Sequence, residues 1–209
     1  GQAIYGITTG LGDNCDKFIN EEDRETIQRN IILSHTCSVG EPLSKECVRA
    51  MMFVMLVHFG TGHSGIRLET LELIRDLLNN DVIPFVPRHG SVGYLCLEAH
   101  IGEVLIGKGK VYYKNELLSS EEVYKKLNLK PVVLSSKEGL TVVSGTTSVT
   151  ALTALAVYDA VNIAKTSDIS GSLTLEALKG SLMAMDERLM QARPHEDQKY
   201  TADNIRNIL

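Results

Sequence analysis

The 209-residue sequence has no Trp, only 5% aromatic residues and no Cys-x-x-Cys pair. With so few aromatics, Leu, Ile, Val, Ala and Met must fill the core, which favours packed helices over an aromatic-rich sheet. The four cysteines, Cys15, Cys37, Cys47 and Cys96, lack the spacing of a metal site. A chain of this length needs no disulfide staples, so they read as reduced thiols of a cytoplasmic protein, and no metal is expected. No basic run exceeds Lys125-Lys126 and the net charge is −5, which argues against a nucleic-acid partner. The longest apolar stretch, 149 to 164, is interrupted by Thr150, Thr153 and Asp159 and reads as too short and too polar for a membrane span. Neither a signal peptide nor an initiator Met opens the chain, and the pattern is still running at Leu209, so a piece of a longer protein is expected.

What is present is ordinary for a globular protein: 44% hydrophobic and 22% charged residues. Asn20 stands before an acidic turn and predicts a helix over 20 to 33. Ser44 predicts a cap for the clearest helix, in which Val48, Met51, Met52, Met55, Leu56 and Phe59 recur every three or four residues and Gly60 marks the end. The same spacing predicts helices over 68 to 80, 94 to 106, 147 to 165 and 173 to 190. Lys114-Asn115 predicts the turn of a hairpin, and Ser119 with Glu122 a capping box for a short helix. The fold class expected is mainly α, with a few short strands and a hairpin in the N-terminal part. The expected division is an active-site domain over 1–145 and the start of a long-helix bundle over 146–209.

Four groups of residues are candidates for chemistry. Tyr5 stands beside the glycine-rich run Gly6-Ile7-Thr8-Thr9-Gly10-Leu11-Gly12; such a loop can fold closely round a ligand, and a Tyr there can serve as a base only where its phenolate is favoured. Ser34-His35-Thr36-Cys37-Ser38-Val39-Gly40-Glu41-Pro42 offers a His at a helix end. Gly62-His63-Ser64-Gly65-Ile66-Arg67 reads as a tight turn before a helix. Lys137-Glu138-Gly139-Leu140 precedes Ser144-Gly145-Thr146-Thr147-Ser148, which opens a helix whose amides can hold a carboxylate. Each taken singly also fits a structural role: a packed Tyr, a hydrogen-bonded His, a turn, an N-cap.

Their order and spacing resemble the histidine and aromatic amino acid ammonia-lyases. The Tyr5 segment is similar to that family's Y-G-x-x-T-G-x-G. Residues 33–43 are similar to L-S-H-x-x-G-V-G-E-P-L, with Ser38 in place of the first of those glycines. Residues 62–67 resemble G-x-S-G-V-R, residues 87–93 resemble P-x-x-G-S-V-G, residues 137–140 match K-E-G-L, and Ala192-Arg193-Pro194-His195 matches A-R-P-H. The resemblance implies a helical lyase fold of the ammonia-lyase and fumarase type. It implies a homotetramer whose active sites draw on several subunits, and an amino acid substrate. Tyr5 would remove the β-proton. Ser34 and His35 would select an imidazole-bearing substrate, and Ser144 would line the site where the family has Asn.

The resemblance also implies a 4-methylideneimidazol-5-one electrophile, made from an internal Ala-Ser-Gly. That precursor is absent. The family pattern after Gly93 is Ala-Ser-Gly-Asp-Leu-Ala-Pro-Leu-Ala-His, whereas this chain continues Tyr94-Leu95-Cys96-Leu97-Glu98-Ala99-His100. Gly93 and Tyr94 would adjoin the electrophile, and Tyr94 stands where the family has Asp. The expected activity is α,β-elimination of ammonia from L-histidine or a related aromatic amino acid. The alternatives are an ergothionase-like, cofactor-free elimination of trimethylamine from a histidine betaine, and a degenerate non-catalytic member. No electrophile is the expectation for this sequence.

Overall fold

The structure is a computed structural model and describes residues 2–209. The chain divides into two compact units, Gly1–Thr153 and Ala154–Leu209.

The first unit is helical with two small antiparallel sheets. Helix α1 (Arg24–His35) leads to strand β1 (Val39–Pro42), then α2 (Lys45–Gly60), α3 (Leu68–Asn79), β2 (Ile83–Pro84), β3 (Pro87–His89) and α4 (Cys96–Leu105). The hairpin β4 (Lys110–Tyr113) and β5 (Glu116–Ser119) follows, then α5 (Ser120–Leu127), α6 (Glu138–Val143) and the long helix α7 (Thr147–Ala177). Ser44 caps α2 by accepting from Cys47 N at 3.2 Å, and the apolar stripe that it starts, Val48, Met51, Met52, Met55 and Phe59, is buried. Ile32, Ile74, Leu77, Ile101 and Leu105 from α1, α3 and α4 complete the same core. At about 2 to 5 kcal/mol for each large side chain cut back to Ala, this cluster holds the unit together.

The hairpin forms as expected, with Tyr113 opposite Glu116 and both Lys114 and Asn115 at positive φ, the geometry of a two-residue turn. Ser119 caps α5 through Glu122 N at 3.2 Å. Sheet β2-β4-β5 is separate from the pair β1-β3.

Three expectations need correction. Asn20 does not cap: its side chain accepts no amide proton, a 3-10 turn (Glu21–Asp23) comes first, and α1 starts only at Arg24. Helix α4 starts at Cys96 rather than residue 94, because Leu95 lies at φ 73°, ψ −62°, outside helical space. No helix runs from 173 to 190. Helix α7 instead continues to Ala177, and the chain then reverses with Lys179 at φ 52° while Gly180 N donates to Leu175 O at 2.7 Å. A left-handed residue at a helix end satisfies the last carbonyls, and it ends the apolar periodicity that the sequence carries past it.

The second unit then has a 3-10 turn (Leu182–Met185), α8 (Glu187–Ala192, capped by Asp186) and α9 (Glu196–Ile208). The extra length of α7 also overturns the reading of its apolar run as too short to span a membrane. An 18-residue window in the helical run Glu138–Ala177 has a mean hydropathy of 1.6, sufficient by length and composition. Asp159, Asn162, Lys165 and Asp168 lie along that helix, and burying them in lipid would be expensive.

Candidate active site

The Tyr5 loop is tied down along its length. Thr8 O accepts from Ile19 N at 2.9 Å, and Lys17 O accepts from Gly10 N at 3.0 Å. Gly6 lies at φ 70°, and a Cβ there would come within 2.7 Å of the Leu140 side chain, so only glycine fits. Gly12 N donates to the Tyr5 phenol oxygen at 3.1 Å, fixing that oxygen over the loop while Tyr5 stays exposed. Gln28, buried on α1, clamps the loop to α6: its Nε2 donates to Gly6 O at 3.4 Å and its Oε1 accepts from Leu140 N at 3.3 Å.

Ser34 and His35 form the last turn of α1. His35 Nδ1 lies 2.8 Å from Ile31 O and 3.1 Å from Ser34 Oγ. A carbonyl oxygen cannot donate, so Nδ1 carries a proton and Nε2 of the neutral ring is an acceptor. Beyond the helix, Val39 pairs with His89 and Pro42 with Pro87, so the two motifs 33–43 and 87–93 form the β1-β3 sheet. Gly40 (φ 85°) lets the His89 ring pass where a Cβ would stand 2.7 Å away.

The motifs 62–67 and 137–140 meet through an ion pair that nothing in the spacing announced. The Glu138 side chain is fully buried. It accepts from Arg67 N (3.0 Å), Nε (2.8 Å) and Nη2 (2.6 Å), from Thr70 Oγ1 (2.8 Å) and from Ser135 N (2.8 Å). Burial pushes the carboxyl up, but these donors outweigh it and hold Glu138 below its ordinary range.

The segment after Gly93 closes without a gap. Ser91 Oγ accepts from Gly93 N and Tyr94 N, each at 3.1 Å, and donates to Tyr94 O at 3.1 Å. Cys96 N donates to Tyr94 O at 2.9 Å across Leu95, a γ-turn with positive φ, which is a rare and strained conformation. The Tyr94 and Ser144 hydroxyls are 2.7 Å apart, Cys96 Sγ lies 3.6 Å from Cys37 Sγ, and buried Glu98 Oε1 accepts from Ser148 N at 2.8 Å. The resemblance set Tyr94 and Ser144 beside the same missing electrophile, but not their direct hydrogen bond. It missed Glu98 and the Cys37–Cys96 pair altogether. Among the described residues, no hydrogen bond links Tyr5 or His35 to Ser144. The 192–195 motif lies in the second unit, exposed, just before α9.

Burial, and then the Cys37 thiol, push the Cys96 thiol up. The two sulfurs need only a small side-chain movement to bond. Hydrogen peroxide is expected to join them, two thiol hydrogens leaving as two waters. Intact mass should fall by ~2 Da, and Cys37→Ser should abolish that change.

Fold and motif geometry together define a chain of the helical lyase class. A family model for aromatic amino acid lyases matches residues 1–209, and the chain belongs to that family. It is 42% identical, over 100% of its own length, to a histidine ammonia-lyase of Caldanaerobacter subterraneus subsp. tengcongensis, and spans 42% of that protein. Its structure is similar to a histidine ammonia-lyase crystal structure from Trypanosoma cruzi (TM-score 0.93, 34% identity, 100% of this chain and 41% of that one). It is also similar to an ergothioneine-degrading ergothionase from Treponema denticola (TM-score 0.91, 32% identity, 98% and 42%). The chain therefore spans less than half the length of these relatives.

Proposed function

We propose that the protein containing this chain is a carbon–nitrogen lyase acting by α,β-elimination on histidine or a related aromatic amino acid. Tyr5 takes the β-proton, His35 and Ser34 shape the pocket for the imidazole, and Ser144 lines the site. The observation that supports the reading is the joining of five motifs into two groups in the first unit, the Tyr5 loop with 137–140 and 62–67, and 33–43 with 87–93. Gln28 joins the Tyr5 loop to α6, β1-β3 joins 33–43 to 87–93, and Arg67–Glu138 joins 62–67 to 137–140.

The name of the histidine ammonia-lyase relatives makes ammonia the first leaving group to test. The junction of Gly93 with Tyr94 favours a second reading. The sequence contains no Ala-Ser-Gly from which to build 4-methylideneimidazol-5-one. Tyr94 N is already bonded to Ser91, and Tyr94 and Ser144 occupy the positions of the family's Asp and Asn. The electrophile does not fit these residues. A nitrogen that leaves without it is the quaternary ammonium of a histidine betaine. It is permanently cationic and departs as neutral trimethylamine, and the likeness to the ergothionase supports this reading. Tyr5 would accept the β-proton, the C–H electron pair would become the Cα–Cβ double bond, and the Cα–N pair would leave with the amine. A homotetramer in the cytoplasm, outside any membrane, is the assembly proposed.

The full-length protein tests this directly. Ultraviolet absorbance of the acrylate product is expected with an imidazole substrate, and absence of product from both histidine and its betaine would overturn the activity. His35→Leu is expected to lower kcat/KM for the imidazole substrate by about tenfold, the worth of one polar hydrogen bond, while leaving a phenyl analogue unaffected.

A further inference from the structure

Two thiols that the proposed elimination does not use lie against each other in the first unit. Cys37 Sγ and Cys96 Sγ are 3.6 Å apart, although 59 residues separate them in sequence. Cys37 follows the C-terminus of α1, two residues beyond His35, and Cys96 opens α4, two residues beyond Tyr94. The backbones are close there as well: a Cβ on Gly90 would stand 3.2 Å from Ser38 Cα and 3.6 Å from Cys37 O. Cys37 is exposed and Cys96 half-buried, so Cys37 meets an oxidant first and Cys96 is placed to resolve it.

From this geometry we propose that Cys37 and Cys96 form a reversible redox switch on the candidate active site: a disulfide between them slows the enzyme, and reduction restores it. The regulation rests on the lyase reading above. The Cys37 thiolate attacks hydrogen peroxide, keeping one oxygen as a sulfenic acid and releasing one water. The Cys96 thiol then displaces that oxygen as a second water and forms the S–S bond. The sulfurs lose two electrons and the peroxide gains them; dithiothreitol reverses the step by closing into its own cyclic disulfide and returning two protons to the thiols. Bonding brings the sulfurs from 3.6 Å to about 2 Å. Side-chain rotation absorbs part of that movement, and the backbone before Cys96 takes the rest. Leu95 is the weak point there, at φ 73°, ψ −62° in a strained γ-turn. On its other side the Tyr94 hydroxyl is 2.7 Å from that of Ser144. The pull is thus delivered to the contact that holds Ser144, the residue proposed to line the site.

Full-length protein is reduced, treated with hydrogen peroxide, desalted and followed three ways: by disulfide peptide mapping, by turnover of L-histidine and of its Nα-trimethyl betaine, and by amide hydrogen exchange over 94–96. A Cys37–Cys96 cross-link is expected, with kcat/KM lower by about tenfold and exchange over 94–96 shifted, all returned by dithiothreitol. Cys37→Ser and Cys96→Ser, each compared with its own untreated form, should lose these responses. No cross-link, a cross-link that leaves turnover unchanged, or a loss that persists in both serine variants would overturn the switch. Reduced protein that turns over neither substrate would sink the lyase reading instead. Exchange then decides the switch: a shift over 94–96 that needs both cysteines supports it, and a cross-link that leaves 94–96 unchanged overturns it.

Discussion

Tyr5→Phe in the full-length protein is expected to lower kcat/KM by about a thousandfold, the usual worth of a positioned general base. The β-proton of an amino acid is very weakly acidic, so removing its acceptor leaves only binding and orientation to promote the reaction. The substitution deletes one oxygen and one hydrogen bond, from Gly12 N at 3.1 Å, on a side chain that is 53% exposed. A hydrogen bond of that kind contributes about 1 kcal/mol or less to stability. The loop has its own ties at Thr8, Gly10 and Gln28. A circular-dichroism melt should therefore match the parent while the rate collapses. A parallel fall in both would mean that Tyr5 is a structural residue.

Glu138→Gln carries the second large effect, this time on stability. The carboxylate is fully buried and takes five hydrogen bonds, three of them from Arg67. Gln keeps the shape but replaces one acceptor oxygen by a donor facing donors, and it leaves the guanidinium without its counter-charge. Breaking one side of a buried pair costs about 3 to 5 kcal/mol; Arg67 is 41% exposed and can recover some hydration, so the expected loss is about 3 kcal/mol. Denaturant titration of parent and variant measures it.

The pH dependence has a definite sign. The folded-state pKa of Glu138 is held below its ordinary value of 4.5, so its contribution is present above about pH 4.5 and is lost as the pH falls through the folded value. The parent should lose stability on acidification, and Glu138→Gln should lose less. A variant as stable as the parent at pH 7 would remove the pair from the account of how motifs 62–67 and 137–140 are held together.

What the sequence disclosed and what it hid divide along range. Ser44 and the stripe from Val48 to Phe59 are legible because cap and core face lie within one helix. The turn at Lys114-Asn115 is legible because its strands are adjacent. The motif order disclosed the family and hence the helical fold. The partners stayed hidden: Arg67 and Glu138 are 71 residues apart, Cys37 and Cys96 59, and Tyr94 and Ser144 50. No local periodicity encodes a contact of that span. The failure at 173–190 has a different cause. The apolar spacing runs on past Ala177, but Lys179 adopts the left-handed conformation and Gly180 follows, so a cap overrode the pattern. Leu95 is the converse case: a residue with good helical propensity sits at positive φ because the chain passes directly from Gly93 to the start of α4.

The proposed lyase activity is tested most directly by the products released. Full-length protein would be incubated separately with L-histidine and its Nα-trimethyl betaine, following acrylate by absorbance and the amine by mass spectrometry. Acrylate is expected together with the matching amine, ammonia from histidine or trimethylamine from the betaine, at a rate that falls with Tyr5→Phe. No acrylate from either compound, or a rate that Tyr5→Phe leaves unchanged, would contradict the proposed lyase activity.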